Sequence, residues 1–356
     1  MPRVWEVPVH DSTRVRDARV AAEAAAARAG LDADRAAGCA LVATELATNL
    51  LKHAGGGLIL LEVVSRPAPE RADGAAPLVQ IVAIDHGPGV RDVAGALRDG
   101  YSTTSSLGAG LGTCRRVADD FDLHSTVGRG TIAMARLGAR AAHRGGPAPS
   151  PATDVRAGGV NVPFAGAEFS GDAWAWVREG DLTTVMLADG LGHGVAAARA
   201  SSAAVEQLYR APRLAPAQLL RRLEGALRDT RGAAVAVAQL DSAAGSLRFS
   251  GIGNIGARLR TGAQWQPLLS RPGIVGAHRA AHLPEHTAPW GKDCLLVLHS
   301  DGLPSRWSPG PAAHSPSLDP AVIAAVIVRD ASSPARPVRD DTTVAVLSPS
   351  PPDRFP

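Results

Sequence analysis

Five aspartates in the second half of the chain stand beside a glycine or another acid, at the ends of segments with strand-like patterns. They are Asp172 in SGD, Asp189 in LADGLGHG, Asp301 in LHSDGL, and Asp340 and Asp341 in RDDTTV. Carboxylate oxygens suit hard cations such as Mg²⁺ or Mn²⁺, and two such ions can share a hydroxide that attacks phosphorus in line. Any single Asp-Gly pair also fits an ordinary turn, but the full set favours a metal site. The carbonyl of Gly190 is a further candidate ligand.

A second group of candidate residues lies on a helical segment in the first half, ALVATELATNLLKHAG. Glu45 and Asn49 are four residues apart and therefore share one helix face, while Leu46 and Leu50 fall on an adjacent face that can enter a core. Asn can ligate Mg²⁺, and Glu can accept a proton from a nucleophile. The pair alone also fits a solvated polar face.

The segment VQIVAIDHGPGV reads as a β-branched strand that ends at Asp85 and is followed by Gly87, Pro88 and Gly89. An acid at a strand end can accept a hydrogen bond from an exocyclic amine, and glycines let a backbone approach a ring closely. The same letters also fit an ordinary turn after a strand.

The stretch SLGAGLGTCRRVADDF places Gly108, Gly110 and Gly112 at the start of a predicted helix. Backbone N–H groups at a helix N-terminus are free to bind anions. The stretch is not a Rossmann fingerprint, because no strand precedes it and Thr113 replaces the third glycine. It is not a P-loop either, because no Gly-Lys-Ser/Thr follows.

In this order, the three first-half segments resemble the N box and two glycine boxes of the GHKL ATPase superfamily. The likeness covers about residues 1–137 and is greatest to its small serine kinases and anti-sigma factors, since GYSTTSSLGAGLGTCRRVADDFDLHSTVGRGT is similar to the matching stretch of RsbT-type switch kinases. The resemblance implies a Bergerat α/β sandwich that binds ATP and Mg²⁺, with Glu45 as catalytic base, Asn49 as Mg²⁺ ligand and Asp85 reading adenine. The other residues that it places on the nucleotide are Gly87, Gly89, Gly108, Gly110, Leu111, Gly112 and Thr131. RsbT-type kinases usually carry Pro-Gly where this chain has Gly112-Thr113.

The second half resembles the metal-dependent PPM-type protein phosphatases, in particular the SpoIIE and RsbX branch. The likeness spans about residues 158–348 and rests on GDAWAW, ADGLGHG, GIGNIG, RPGIVG, LVLHSDGL and DDTTVAVL. It implies a PP2C-like α-β-β-α sandwich with two Mn²⁺ or Mg²⁺ ions. The residues that it assigns to the metals are Asp172, Asp189, Gly190, Asp301 and Asp340. Asp341 is the less favoured member of its pair, His193 is assigned a structural role, and no phosphate-binding arginine is placed upstream of Asp172.

The elements that must position these residues differ between the two halves. In the first half, strands are predicted at 4–9, 58–64, 78–85, 121–127 and 131–137, with helices at 12–29, 34–53, 91–98 and 110–120. Two consecutive helices argue against a plain βαβ series and favour a sheet with helices on one face, and Pro8 predicts an edge strand. In the second half, strands at 172–178, 182–188, 233–240, 246–250, 255–260, 294–300 and 342–347, with helices at 194–209, 216–229 and 319–328, predict two sheets with helices outside.

The length of 356 residues is enough for two domains of ordinary size. Residues 138–159 are rich in Ala, Gly and Pro and lack apolar periodicity, which predicts a linker. The expected organisation is therefore an ATPase-like domain at 1–137, a linker at 138–159, a phosphatase-like domain at 160–348 and a disordered tail at 349–356.

Composition narrows the class of partner and the compartment. The formal net charge is only +3, the basic residues are dispersed and aromatic residues are 4% of the chain, which argues against nucleic-acid binding. There is no run of eighteen apolar residues and no signal-peptide pattern at the start, so we expect no membrane span. Three widely spaced cysteines predict a reducing compartment without disulfides, hence the cytoplasm.

Together these features predict a bifunctional regulator of protein phosphorylation in a partner-switching pathway. The first domain would phosphorylate Ser or Thr on a STAS-domain antagonist or stressosome-type protein, and the second would remove such phosphate. In the alternative, the first domain only sequesters a partner, such as a sigma factor, in a nucleotide-dependent way, and the second domain alone is an enzyme. A degenerate phosphatase scaffold is disfavoured because all the expected acids are present.

Overall fold

A computed structural model describes residues 3–67, 75–96, 110–139, 155–277, 283–304, 307–308, 310, 315, 317–332 and 339–350. The chain divides into two compact units. The first contains the described part of residues 4–64 and 77–146, and the second contains most of the remaining described residues. Within the described ranges, no helix combines the length and the apolar character needed to cross a bilayer.

The first unit is one five-stranded sheet with helices, which confirms the predicted α/β sandwich. Its strands are β1 (Val4–Val9), β2 (Gly57–Pro67), β3 (Ala75–Ile84), β4 (Asp120–Thr126) and β5 (Gly130–Gly138), in the spatial order β1-β2-β3-β5-β4. Its helices are α1 (Ser12–Arg28), α2 (Ala33–Asn49, extended by a π-helical turn at Leu50–Ala54), α3 (Val93–Ala96) and α4 (Gly110–Val117). Strand β1 lies at the sheet edge, where Pro8 leaves no ladder hydrogen bond unmade.

Small residues let α1 and α2 pack closely over this sheet. The buried face of α1 consists of alanines, and α2 buries Cys39, Val42, Ala43 and Leu46 in the same core. Both helices begin at aspartates, with Asp32 accepting a hydrogen bond from the Arg35 amide at 2.8 Å. Leu46 and Leu50 enter the core as predicted, which leaves Glu45 and Asn49 on a different face of α2.

The second unit has two five-stranded sheets with helices outside, which confirms the predicted α-β-β-α sandwich. One sheet has the order β13-β10-β9-β8-β7 and comprises β7 (Asp172–Glu179), β8 (Leu182–Gly190), β9 (Ala233–Asp241), β10 (Ser246–Ile252) and β13 (His286–Pro289). The other has the order β12-β11-β14-β15-β6 and comprises β6 (Val155–Val162), β11 (Gly256–Thr261), β12 (Gln264–Leu268), β14 (Cys294–His299) and β15 (Thr342–Pro349). The helices are α5 (Val195–Arg210), α6 (Pro216–Ala226) and α7 (Pro320–Ala331).

One part of the predicted linker is wrong, because residues 155–159 form the first part of strand β6. Composition misled here because Gly158 and Gly159 are typical of loops. A methyl group on Gly159 would lie 2.6 Å from the Val344 carbonyl oxygen and 3.0 Å from the Trp174 ring, so the glycine is required by close packing. Residues 140–154 lie outside the described residues, as do 351–356 of the predicted tail, whereas Pro349 ends β15.

A buried guanidinium joins three elements of the first unit. Arg35 at the start of α2 donates through Nε to the Gly138 carbonyl oxygen at 2.6 Å and forms an ion pair with Asp119. The Asp119 carboxylate also accepts the Gly138 amide at 2.7 Å. The end of β5 and the residue pair after α4 are thereby fixed to the helix that carries Glu45.

We expect Arg35→Ala to destabilise the first unit by about 2 kcal/mol, because it leaves a partly buried carboxylate without its charged partner. Hydrogen–deuterium exchange should accelerate in peptides covering α2 and β5. Arg19→Ala is the matched control, because its 3.9 Å pair with Glu23 lies on the helix surface and contributes little. Equal exchange in the two variants would show that the Arg35 network does not hold these elements.

Candidate functional sites

Asp172 and Asp189 face each other across the β7–β8 hairpin. Asp172 begins β7, Asp189 lies next to the end of β8, and the two are register partners. The Asp172 side chain is 1% exposed, and neither of its carboxylate oxygens makes a hydrogen bond of normal geometry. Burial raises the pKa of Asp172 well above its usual value, the Asp189 carboxylate raises it further, and the nearby Ser300 and Thr343 hydroxyls offset part of the effect.

Three of the predicted acids line one cavity of about 520 Å³ in the second unit. The lining residues are Asp189, Leu191, Gly192, Ala234, Gly253, Asn254, Ser270, Pro272, Gly273, Ile274, Asp301 and Asp340. Burial, followed by the carboxylates of Asp301, Asp340 and Asp341, raises the pKa of Asp189 to about 7. The pKa of Asp301 is likewise raised, first by burial and then by Asp340. Burial and the repulsion between neighbouring carboxylates therefore both disfavour the charged forms of Asp189 and Asp301.

Asn254 is a site residue that sequence reasoning missed, although it stands in the quoted motif GIGNIG. Its Nδ2 donates to Asp301 Oδ2 at 2.6 Å, and its side chain lines the cavity. The preceding Gly253 has φ +98°, a conformation that favours glycine, and thereby turns the chain after β10 toward the acids. Asn254 thus orients one of the candidate metal ligands.

The adjacent acids Asp340 and Asp341 have different surroundings. Asp341 is buried, and its two carboxylate oxygens accept the backbone amides of Phe164 at 2.8 Å and Gly171 at 2.7 Å. Asp340 lines the cavity and accepts the Asp341 amide at 2.8 Å. Asp341 therefore fastens the segment before Asp172, while Asp340 faces the cavity, and the preference for Asp340 over Asp341 as a metal ligand stays a prediction.

Gly190 and His193 follow Asp189 but differ in packing. The Gly190 amide donates to the Gly171 carbonyl at 3.1 Å, and any side chain on Gly190 would collide with the Ala197 carbonyl. Glycine is therefore required by packing alone, and the Gly190 carbonyl as a ligand stays a prediction. His193 is exposed in the loop before α5 and is not among the residues that line the cavity.

The donor set fits hard divalent cations. The cavity offers carboxylate oxygens, and the buried Asp172 oxygens have no hydrogen-bond partner of normal geometry among the described residues. In the part of the chain that the structure describes, no three His, Cys, Asp or Glu side chains already converge as a closed cage. Positive charge between the acids would satisfy Asp172 and cancel the repulsion that raises the pKa values of its neighbours.

The predicted nucleotide residues of α2 meet the start of α4 in the first unit. A methyl group on Gly110 would lie 3.2 Å from Glu45 Oε2 and 3.3 Å from Asn49 Nδ2, so a side chain here would crowd both polar groups. Asn49 Nδ2 is buried and has no hydrogen-bond partner among the described residues. An oxygen-rich ligand at this point would satisfy the amide and lie close to the N-terminus of α4, where backbone N–H groups favour anions.

The predicted adenine-reading acid is tied to the neighbouring strand. Asp85 Oδ1 accepts the amides of Gly87 at 2.8 Å and Thr131 at 3.1 Å, and the Asp85 amide donates to the Thr131 carbonyl at 3.0 Å. Asp85 is 7% exposed, so its carboxylate is held in one orientation at the end of β3. These hydrogen bonds hold Thr131, which is also predicted to line the nucleotide, directly beside Asp85.

The predicted nucleotide-lining glycines have packing reasons of their own. A methyl group on Gly87 would lie 2.7 Å from Ala54 Cβ in the π-helical turn, and Gly89 has φ +72° beside the Thr126 carbonyl. Gly112 is buried and Leu111 half-buried in the first turn of α4. Gly108 lies outside the described residues.

The residues that follow these glycines are accommodated within α4. The Thr113 hydroxyl accepts a hydrogen bond from Arg116 Nη2 at 2.9 Å on the helix surface, so the departure from Pro-Gly leaves α4 helical. Cys114 is buried beneath Glu45, and burial, followed by the Glu45 carboxylate, raises its pKa to about 12. The cysteine is therefore an inert packing residue rather than a nucleophile.

Two family models match the chain, one for each unit. The histidine kinase-like ATPase domain matches residues 9–136, and stage II sporulation protein E (SpoIIE) matches residues 179–349. Among curated proteins, the serine/threonine-protein kinase RsbT of Bacillus subtilis (strain 168) is 41% identical over 88 residues. That match takes in 25% of this chain and 61% of RsbT, so the chain spans less than two thirds of the length of that kinase.

Solved structures are similar to a little over half of the chain. One, described as "The bacterial stressosome: a modular system that has been adapted to control secondary messenger signaling", is 24% identical, with a TM-score of 0.51, and covers 55% of this chain and 100% of its own. The PP2C phosphatase domain and a regulatory fragment of SpoIIE from Bacillus subtilis is 15% identical, with a TM-score of 0.47, and covers 65% of this chain and 70% of its own. At these identities only the fold is shared.

The raised pKa of Asp189 predicts how pH affects the metal-free protein. Between the usual value of 3.8 and about 7, folded Asp189 keeps a proton that the unfolded chain has lost. The folded state then binds more protons, so stability decreases as pH rises through this window. We expect a higher melting temperature near pH 5 than near pH 8 in the presence of chelator. Asp189→Asn cannot titrate and should reduce this difference, and an identical pH profile in the variant would contradict the assignment.

Proposed function

We propose that this chain, which joins a histidine kinase-like ATPase domain to a SpoIIE-type phosphatase domain, both adds and removes phosphate on serine or threonine residues of partner proteins. The observation that carries the proposal is the buried Asp172 carboxylate, which has no hydrogen-bond partner of normal geometry among the described residues and is the register partner of Asp189, one of three acids that line a cavity. We propose domain limits of 1–137 for the first domain and 155–349 for the second, the latter because β6 and β15 pair along their whole length.

The second unit supports hydrolysis of a phosphate monoester. Two hard cations, when bound, supply Lewis-acid polarisation of the ester and an activated water. Asp172, Asp189, Asp301, Asp340 and the Gly190 carbonyl would hold the cations as Mn²⁺ or Mg²⁺. Asn254 keeps the Asp301 carboxylate in place. In the reaction, a bond forms between the water oxygen and phosphorus, and the bond from phosphorus to the serine oxygen breaks. The water gives up a proton, the serine oxygen takes up a proton to become a hydroxyl, and inorganic phosphate leaves.

The first unit supports transfer from Mg-ATP. Glu45 would accept the proton of the attacking serine hydroxyl, and Asn49 would hold Mg²⁺, with Gly110 leaving room for the phosphates beside both side chains. Asp85, fixed by the Gly87 and Thr131 amides, would accept the adenine amine. Leu111, Gly112 and Gly108 would complete the enclosure, and the likeness to RsbT favours transfer over simple binding.

The class of partner follows from the relatives. RsbT is a serine/threonine-protein kinase, and one similar structure is described as part of the bacterial stressosome. We therefore infer a STAS-domain antagonist or stressosome-type phosphoprotein as substrate of both domains, in the cytoplasm. A first domain that binds ATP and a partner such as a sigma factor without transferring phosphate is the alternative, and the kinase experiment below separates the two.

Replacing one cavity acid should abolish the phosphatase. We expect Asp189→Ala to lower Mn²⁺-dependent hydrolysis of p-nitrophenyl phosphate and of a phosphoserine protein by about 100-fold or more, because a cation loses a ligand. Asp181→Asn is the control, since Asp181 is an exposed aspartate in the turn at the other end of the same hairpin. Retained activity in Asp189→Ala, or an equal loss in both variants, would refute the metal assignment.

Replacing the proposed base should separate binding from transfer in the first domain. With labelled ATP and a STAS-domain protein, Glu45→Gln should lower phosphoryl transfer by roughly 10²–10⁴-fold while nucleotide affinity stays near that of the wild type. Glu23→Gln on the exposed face of α1 serves as the matched control. A wild-type protein that binds ATP and transfers nothing would favour the binding-module alternative, and one that binds no ATP would overturn both readings.

A further inference from the structure

A cationic side chain touches the wall of the acidic cavity. Arg231 is exposed just before β9, and its Nη1 lies 2.9 Å from the place where a Gly192 side chain would begin. Gly192 lines the cavity, and the Leu191 amide donates to the Gly232 carbonyl at 3.0 Å, which holds the two loops together. Gly192 has φ +87°, so the absence of a side chain at this point leaves room for the guanidinium.

Arg231 would add a positive charge to a cavity whose described lining residues include no cationic side chain. Its described lining holds three carboxylates, Asp189, Asp301 and Asp340, and no lysine or arginine. No hydrogen bond or ion pair within the described residues engages the Arg231 guanidinium. A phosphate monoester held by cations at the acids still has oxygens directed outward, and a planar guanidinium is the side chain best shaped to bind them.

Three exposed aliphatic residues line this cavity or lie close to its lining residues in the chain. Leu191, a lining residue, is 50% exposed, and Leu269, which precedes the lining residue Ser270, is 68% exposed. Val195, three residues after Gly192, is 52% exposed. Single exposed aliphatic residues are ordinary, but one that lines a polar cavity, with two more close to the lining residues in the chain, favours a surface that a partner covers.

We propose that the mouth of this cavity recognises a phosphoserine or phosphothreonine segment with apolar neighbours, in which Arg231 binds the phosphate and Leu191 and Leu269 contact the flanking side chains. The inference rests on the proposed phosphatase activity and narrows its substrate class to proteins with aliphatic residues around the phosphorylated position. A lysine-rich or acidic flank would find no complementary charge at Leu191, Val195 or Leu269.

The role of Arg231 is tested in the full-length protein with Mn²⁺. We expect Arg231→Gln to lower kcat/KM for phosphoserine peptides by about tenfold or more, mainly through KM, as expected for the loss of one charge-assisted hydrogen bond. Arg231→Lys keeps the charge without the planar fork and should give an intermediate loss. Arg221→Gln, an exposed arginine on α6, is the control. Unchanged kinetics in Arg231→Gln would overturn the phosphate contact.

The apolar rim is tested with two phosphoserine peptides that differ only in having leucine or serine beside the phosphorylated residue. The wild type should prefer the leucine peptide, and Leu269→Asp should bring the ratio of kcat/KM values toward one, whereas Val20→Asp, an exposed valine on α1, should keep it. No preference in the wild type would overturn the apolar rim.

Binding measurements separate this inference from the proposed activity. Fluorescence anisotropy of the same labelled peptides with Asp189→Asn, alone and combined with Arg231→Gln, reports recognition without turnover. Weaker peptide binding in the combined variant supports the phosphate contact of Arg231, whether or not any peptide is hydrolysed. A wild type that hydrolyses no peptide would refute only the proposed phosphatase activity. Equal binding in the two proteins refutes the contact with Arg231 even if the wild type is active.

Discussion

Mutual repulsion among buried carboxylates is the constraint that organises the second unit. Asp172 is buried beside this group, and its oxygens have no hydrogen-bond partner of normal geometry among the described residues. Burial and the neighbouring carboxylates raise the pKa values of Asp189 and Asp301. Such an arrangement does not stabilise the folded state, because burying a charge without a partner in a protein interior costs free energy. The packing of the rest of the sandwich must therefore be stable enough to hold the acids together when no cation is bound.

That stability comes from aliphatic side chains packed between and outside the two sheets. The inner layer includes Leu187, Phe249 and Leu298, and the outer layer places Leu208 and Leu220 of α5 and α6 against β8 and β9. The acids are confined to strand ends and loops, where the side chains that carry function do not interrupt the layers. The first unit follows the same rule, since the alanine-rich faces of α1 and α2 lie in the core and the polar residues of α2 do not.

Sequence reasoning found most of this arrangement because its signals are local. Strand ends marked by Asp-Gly, the four-residue spacing of Glu45 and Asn49, and the edge position of a strand containing proline each follow from neighbouring residues alone. The exceptions are set by distant contacts. Strand β6 has the composition of a linker, and only the packing of the Trp174 ring on Gly159 explains its glycines. Asn254 has no distinctive sequence signal, and only its hydrogen bond to Asp301 shows its place in the site.

The same distinction applies to the glycines of the first unit. Gly87 and Gly89 were predicted to line a nucleotide, and the structure shows them packed against Ala54 and Thr126 of the protein itself. The sequence alone does not distinguish a glycine that leaves space for a ligand from one that leaves space for another part of the chain, because both sites require the same residue type. Gly110 differs from these two, since the atoms closest to it are the functional oxygens and nitrogen of Glu45 and Asn49.

The two hydrogen bonds that the Asp341 carboxylate accepts from backbone amides also bear on the order in which the two units can fold during synthesis. They join Phe164 and Gly171 to a residue that lies 177 and 170 positions further along the chain. During synthesis the first unit, whose strands and helices all precede residue 139, can fold on the ribosome as soon as it emerges. The segment leading into Asp172 has to wait until Asp341 has been synthesised. A nascent chain would thus acquire its first unit well before it could complete the acid-lined cavity of the second.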